Sequence, residues 1–287
     1  MENFFINIGP GRCGTSWLYS AFSEHPEISM AKIKETEFFN YEYVRGVEWY
    51  KSLFKKNGVA FGEISNNYFL NKNAIERIHN FNSETKIIIN LREPHTLLNS
   101  ILGFAKRRGL EFKNFKLSNI PYLKIMGKED DSRNFISVLD AINHIEIINF
   151  CEQLFGEENV YIFIFERINY EPELLLEEIY RFIGVNENFK SSITHSRINQ
   201  AIIPRVKIFG TLSYKFAAFL RFFHLYRLLD FLKKSNIIKK IFFKRLDLKN
   251  TDLLAETDYN YIQKDEILSI KKEFIIKFPE LKRFWGA

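Results

Sequence analysis

Cysteine is almost missing: Cys13 and Cys151 are the two in 287 residues. That excludes a disulfide framework and fits a reducing compartment, so a cytoplasmic protein is expected. Cys, His and carboxylates at metal-ligand spacing are missing too, and no metal is expected. No uninterrupted apolar run reaches the roughly 18 residues of a membrane-spanning helix. The N-terminus lacks a basic n-region and an apolar h-region, so no signal peptide is expected. Internal repeats and low-complexity linkers are lacking, which leaves one sizeable domain as the default. The net charge of +6 suits anionic ligands. It comes without a basic tail or an RNA-binding aromatic signature, so nucleic acid is not expected as a partner. The abundance of Phe (30 residues) is read as genomic composition bias and carries no function.

Short apolar runs alternate with helical patterns along the chain. Strands are expected at about 4–8, 59–64, 86–91 and 160–165, the third with little alternation and the fourth fully apolar, as in a parallel sheet. Helices are expected at about 15–24, stopped by His25-Pro26, at 73–81, from Pro94 to about 106, over 135–155, and at 172–183, stopped by Gly184. Residues 30–39 read as short and mixed, and a final helix is expected at 265–277. Strands separated by helices predict an α/β fold: a P-loop-like parallel sheet with helices on both faces, followed by a helical C-terminal region.

The first strand runs into Ile8-Gly9-Pro10-Gly11-Arg12-Cys13-Gly14-Thr15-Ser16-Trp17-Leu18. A strand, a glycine-bearing turn and a helix N-terminus present backbone N–H groups to an anion. The Gly9-x4-Gly14 spacing nearly matches the phosphate loop of nucleotide hydrolases, but Thr15 stands where that motif requires Lys. The cation sits within the loop instead, as Arg12. The loop therefore suits a phosphate rather than the β- and γ-phosphates of ATP with Mg²⁺. Cys13, at a helix N-terminus, allows a redox or nucleophilic reading, but with no partner base in view a small loop filler is preferred.

A second cluster is Leu91-Arg92-Glu93-Pro94, with Ser100 about two turns into the following helix. Arg92 stands at the carboxyl end of an expected central strand, where open α/β sheets bind ligands. Its planar fork and the Ser100 hydroxyl suit a second phosphate. Two phosphate sites beside one sheet edge fit a nucleotide phosphorylated at both 3′ and 5′ positions.

These motifs resemble the sulfotransferase superfamily that uses 3′-phosphoadenosine 5′-phosphosulfate (PAPS), over roughly residues 4–185. The segment Gly11–Leu18 resembles the family's 5′-phosphosulfate loop, and Leu91-Arg92-Glu93-Pro94 with Ser100 its 3′-phosphate motif. Asn159–Glu166, Tyr170-Glu171-Pro172-Glu173 and Phe182-Ile183-Gly184 are similar to its later strand, acidic turn and helix end. Lys34-Glu35-Thr36-Glu37-Phe38-Phe39 and Arg45–Tyr50 are similar to the domains that modify heparan-type glycans and to their bacterial relatives. There the residue matching Glu35 is the catalytic base; Glu37 is the second candidate. Gly62–Phe69 resembles their Glu-Lys-Ser/Thr-x-x-Tyr-Phe segment, with Ile64 in place of a substrate-side Lys, a departure that weakens the case for a polyanionic acceptor. Arg12 replaces the more usual Lys; tyrosyl-protein and many bacterial members use Arg there.

The resemblance implies sulfonate transfer from PAPS to a hydroxyl of a sugar or small hydroxylated metabolite, leaving adenosine 3′,5′-bisphosphate. It implies Gly11, Arg12, Cys13, Gly14, Thr15, Ser16, Trp17, Arg92 and Ser100 as donor-binding residues, with Arg197 a further 3′-phosphate candidate in a basic loop. Glu35 and Arg12 are the implied catalytic pair. Residues 1–287 then form one domain, a nucleotide-binding core to about 190 followed by a covering loop and acceptor-side helices. Residues 214–234 carry apolar side chains at helical spacing with Lys and Arg between them, as in a core or lid helix or, alternatively, a membrane-surface helix. A kinase or phosphotransferase is the rival enzyme, disfavoured by Thr15. A non-catalytic nucleotide- or glycan-binding module is disfavoured by the joint presence of Arg12, Glu35, Arg92 and Ser100.

Overall fold

In the computed structural model the apolar runs become the strands of one sheet: β1 (Phe4–Gly9), β2 (Ile28–Met30), β3 (Ala60–Ile64), β4 (Lys86–Leu91) and β5 (Val160–Ile164). The structure describes residues 3–55, 57–110, 116–126, 136–196, 202–204, 216, 243–245 and 261–286. The five strands are parallel, in the order β2-β3-β1-β4-β5. The chain leaves β1 toward β2 and β3 on one side and returns to β4 on the other. The loop after β1 therefore lies at the point where the winding reverses, the ligand crevice of such sheets.

Helices α1 (Thr15–Glu24), α2 (Val47–Lys51), α3 (Lys72–Phe81), α4 (Pro94–Arg107), α5 (Tyr122–Met126), α6 (Val138–Ile142), α7 (Ile145–Phe155), α8 (Arg167–Tyr170) and α9 (Pro172–Ile183) come between or after the strands. Successive strand residues point to opposite faces. Phe5 meets Phe22 of α1, ring centroids 4.9 Å apart, whereas Phe4 meets Phe81 of α3 at 5.4 Å. Trp17, Leu18, Phe22, Leu175, Ile179 and Ile183 bury the first face against Phe5, Ile88 and Phe163. Each such side chain contributes about 1.5–3 kcal/mol. On the other face α3 and α7 meet through His79 and Phe155, 5.3 Å between rings. Helices thus cover both faces, as expected.

One expected helix, 135–155, is two: α6 and α7 are separated at Asn143-His144. His144 leaves helical geometry (φ −110°, ψ 25°) and turns into the interior. There its Nε2 lies 3.2 Å from the Asn90 carbonyl, with Phe274 5.2 Å away. The edge strand β2 was not legible, because its three residues are ordered by pairing with β3.

Two compact units are distinguished. One comprises Met1–Pro94, Asn143–Ile198 and Ser269–Ala287 and contains the parallel sheet; the other comprises His95–Ile142 and Asn199–Leu268. The second holds most of α4, with α5, α6 and a two-stranded antiparallel ribbon, Ile202–Pro204 with Phe243–Arg245. Residues 214–234 lie outside the described residues except Phe216, which is exposed. Among the described residues no helix is long and apolar enough to cross a membrane.

Candidate active site

The loop after β1 is built by glycine and by buried asparagine. Gly14 caps α1 at φ 90°, and a Cβ there would lie 2.9 Å from Ile168 and 3.0 Å from Phe163. Gly9 (φ 100°) is pressed on the Asn66 backbone, whose carbonyl oxygen would be 2.4 Å from an added Cβ. Where β1 bends away from β4, side chains take over from the backbone ladder. Asn7 donates to Asn90 Oδ1 (2.6 Å) and accepts from the Gly9 N–H (3.1 Å). Asn90 in turn donates to the Cys13 carbonyl (2.9 Å). Two asparagines within otherwise apolar strands were a readable signal of this clamp.

α1 carries no side-chain cap. The N–H groups of Trp17 and Leu18 turn back to the Gly14 carbonyl at 2.9 and 3.0 Å, while Thr15 and Ser16 precede any intrahelical acceptor. The first turn thus presents N–H groups at the positive end of the helix dipole. The Trp17 ring is buried and packs against Phe163. Cys13 is buried, and burial pushes its thiol up to about 12, which favours the filler reading over a thiolate.

The segment after β2 reaches this loop. Ala31 and Glu35 continue along β3, donating to the carbonyls of Gly62 (2.9 Å) and Ile64 (3.0 Å). Lys34 Nζ donates to Ser16 Oγ at 2.9 Å, which ties the segment to the first turn of α1. Asn66, two residues beyond β3, donates from Nδ2 to Glu35 Oε1 at 2.6 Å. Asn66 side-chain atoms also stand 3.7–3.8 Å from where a Gly11 Cβ would lie. Among the described residues the non-glycines at positive φ are Arg12 (69°), Glu35 (60°) and Glu37 (51°). Each costs on the order of 1–2 kcal/mol, and backbone strain of this kind concentrates at functional sites.

Glu37 differs from Glu35. It is buried, and its two carboxylate oxygens accept from Asn67 (2.8 Å) and Asn40 (3.1 Å). Beneath the same segment lies Glu63, fully enclosed, accepting from Thr36, from Tyr68 (2.9 Å) and from Ser65 (3.3 Å). Burial pushes its carboxyl up to about 7 against those hydrogen bonds.

On the β4 side, Arg92 donates from Nη1 to the Arg12 carbonyl (2.8 Å), with its guanidinium 4.3 Å from the Phe165 ring centroid. Glu166, two residues beyond β5, accepts from the Glu93 N–H (2.9 Å) and from Trp285 Nε1 (3.0 Å). Burial raises the Glu166 carboxyl above its ordinary range. The pairing of Glu166 with Trp285 leaves no local signal in the sequence, because the contact spans 119 residues. Of the residues expected to act, the structure brings residues 11–17, Glu35 and Arg92 to the carboxyl ends of β1 to β4. Ser100 is buried in α4, within the other unit, and Arg197 lies outside the described residues.

The family model described as "Sulfotransferase domain" matches residues 3–201. The chain belongs to the sulfotransferase domain family. Its loop after β1, its segment Lys34–Glu37 and Arg92 all lie inside the matched stretch. Membrane-associated sulfotransferase kil1 of Dictyostelium discoideum is 34% identical over 95 residues, 31% of this chain and 20% of that protein. Heparan sulfate glucosamine 3-O-sulfotransferase 6 of Homo sapiens is 34% identical over 117 residues, 37% of this chain and 34% of that protein. The chain thus spans between a fifth and about a third of the length of these relatives. A solved sulfotransferase from Alicyclobacillus acidocaldarius superposes with TM-score 0.54 at 24% identity, over 69% of this chain and 87% of that one. That likeness is one of fold, and it agrees with the parallel sheet and its helices.

Proposed function

We propose that this sulfotransferase-family chain moves the sulfonate of PAPS to a hydroxyl of a sugar or another small hydroxylated metabolite. The observation that carries the reading is the Lys34–Ser16 hydrogen bond of 2.9 Å. It joins the segment bearing an acidic residue, Glu35, to the anion-facing first turn of α1. The donor set fits a doubly phosphorylated nucleotide. Gly9 and Gly14 let the loop turn at positive φ, the first turn of α1 offers N–H groups, and Arg12 and Arg92 bring positive charge without the Lys of an ATP loop.

In this reading the acceptor oxygen attacks sulfur as the bridging S–O bond to the 5′-phosphate breaks. The electron pair of that bond stays on the phosphate, and the acceptor proton passes to the Glu35 carboxylate. Arg12 and the loop N–H groups face the charge that develops on the departing phosphate. Glu35 is preferred over Glu37 because both Glu37 oxygens are engaged by asparagine amides and Glu37 is buried. The curated relative named for glucosamine 3-O-sulfation supports a glycan hydroxyl as acceptor class. Ile64, in place of a substrate-side Lys, favours a less anionic sugar.

Calorimetry and thermal melting with adenosine 3′,5′-bisphosphate test the donor. The bisphosphate is expected to bind and raise the melting temperature, and ATP with Mg²⁺ to do so far less. Labelled PAPS with a panel of sugar and phenolic acceptors is expected to give transfer that EDTA leaves unchanged. Equal or tighter binding of ATP overturns the reading in favour of a kinase.

A further inference from the structure

We infer that Asn66 is a positioning residue for sulfonate transfer: its amide holds one oxygen of Glu35 and directs the other toward the acceptor proton. The inference rests on the reading that Glu35 is the base. Asn66 is placed for this by two constraints. Its backbone is wedged against Gly9, and its side chain lies over Gly11, so it belongs to the floor of the anion loop. From there Nδ2 donates to Glu35 Oε1 at 2.6 Å. Lys34 Nζ makes its nearest approach to the same oxygen, at 3.9 Å. Positive and N–H character therefore gather on Oε1.

The orientation of the amide is informative. Among the described residues Asn66 Oδ1 is buried and accepts no hydrogen bond. Turning the amide over would give the carboxylate an oxygen to face and no donor. The orphaned Oδ1 is thus the counterpart of the Glu35 bond, and a buried polar atom left unpaired is a cost that a merely space-filling residue would not carry. Glu35 itself has little local freedom, its N–H being fixed on the Ile64 carbonyl and its φ at 60°. The side chain then takes its direction from what touches it. The same amide spans the loop that faces the donor and the carboxylate that faces the acceptor, so it sets the distance between the two reacting partners. An effect on turnover follows from small misplacement.

The test is a double-mutant cycle on the full chain, with turnover measured from labelled PAPS to the acceptor of highest rate, water included. Asn66→Asp keeps the shape but removes the donor; Asn66→Ala removes the amide. Each is expected to lower kcat by about tenfold to a hundredfold, the range of one charge-assisted hydrogen bond. The KM for PAPS and the affinity for adenosine 3′,5′-bisphosphate are expected to stay within about twofold. In the Glu35→Gln background, itself about 10²–10⁴ slower, neither change is expected to cost anything more. Unchanged kcat in both variants overturns the inference. So does an equal loss in the presence and absence of the Glu35 carboxylate, or a loss of bisphosphate binding, since either marks Asn66 as packing for the loop. Glu35→Gln at the parent rate is a different failure, which removes the base assignment itself.

Discussion

Arg92 combines a structural contact with an expected ligand contact in one side chain. Its Nη1 donates to the Arg12 carbonyl and its face lies on Phe165. Burial pulls its pKa down, opposed by Cys13, Glu166 and Glu93, yet an arginine in this setting keeps its charge. Removing it therefore releases the loop as well as any phosphate it holds. Arg92→Ala is expected to weaken adenosine 3′,5′-bisphosphate by at least about tenfold. Adenosine 5′-phosphosulfate, which lacks the 3′-phosphate, is expected to weaken less, through the loop alone. Titration calorimetry with both nucleotides separates the contributions, and equal weakening would mean that Arg92 acts only by holding Arg12.

At the scale of elements, the junction between β1 and α1 depends on one residue without a side chain. Gly14→Ala would force a Cβ to within 2.9 Å of Ile168 at φ 90°. A stability loss of about 1–3 kcal/mol is expected in denaturant unfolding, together with loss of bisphosphate affinity as the first turn of α1 shifts. Gly14 before α1, Gly184 after α9 and the helices they bound were legible in the sequence. The helix expected at 15–24 forms over those residues, and the one at 172–183 stops where Gly184 turns left-handed at φ 73°. Strand 86–91 likewise forms as read, since an apolar run between turn signals has few alternatives. The break at His144 was not legible, because apolar periodicity runs through it and its partners, the Asn90 carbonyl and the Phe274 ring, are distant in sequence. The site divides in the same way. Arg12 stood in a loop of readable spacing and Glu35 came from the family resemblance, but the bond of Asn66 to Glu35 and that of Trp285 to Glu166 join residues far apart in sequence. No local pattern encodes such partners.

At the scale of the whole molecule, Glu63 links fold stability to pH. Its carboxyl, enclosed with Thr36, Ser65, Tyr68 and Tyr50 and near the Glu37 carboxylate, is raised from the ordinary 4.5 to about 7, burial being the main cause. The folded protein thus holds a proton there that the unfolded chain has already released. Between about pH 4.5 and 7 the native state binds more protons than the unfolded one, so this group's contribution falls as pH rises. It is fully present below about 4.5 and lost above about 7, a change of at most about 3 kcal/mol. The enclosing residues include Thr36, the neighbour of Glu35, so the loss is felt next to the proposed base. Melting curves from pH 5 to 8 are expected to show the parent losing stability relative to Glu63→Gln. The amide stays neutral throughout and can still accept from Thr36 or Tyr68. The difference between the two proteins removes the contribution of every other titrating group. A difference that stays flat across that window would mean that Glu63 is ionised in the folded state, with its charge carried by the surrounding hydroxyls.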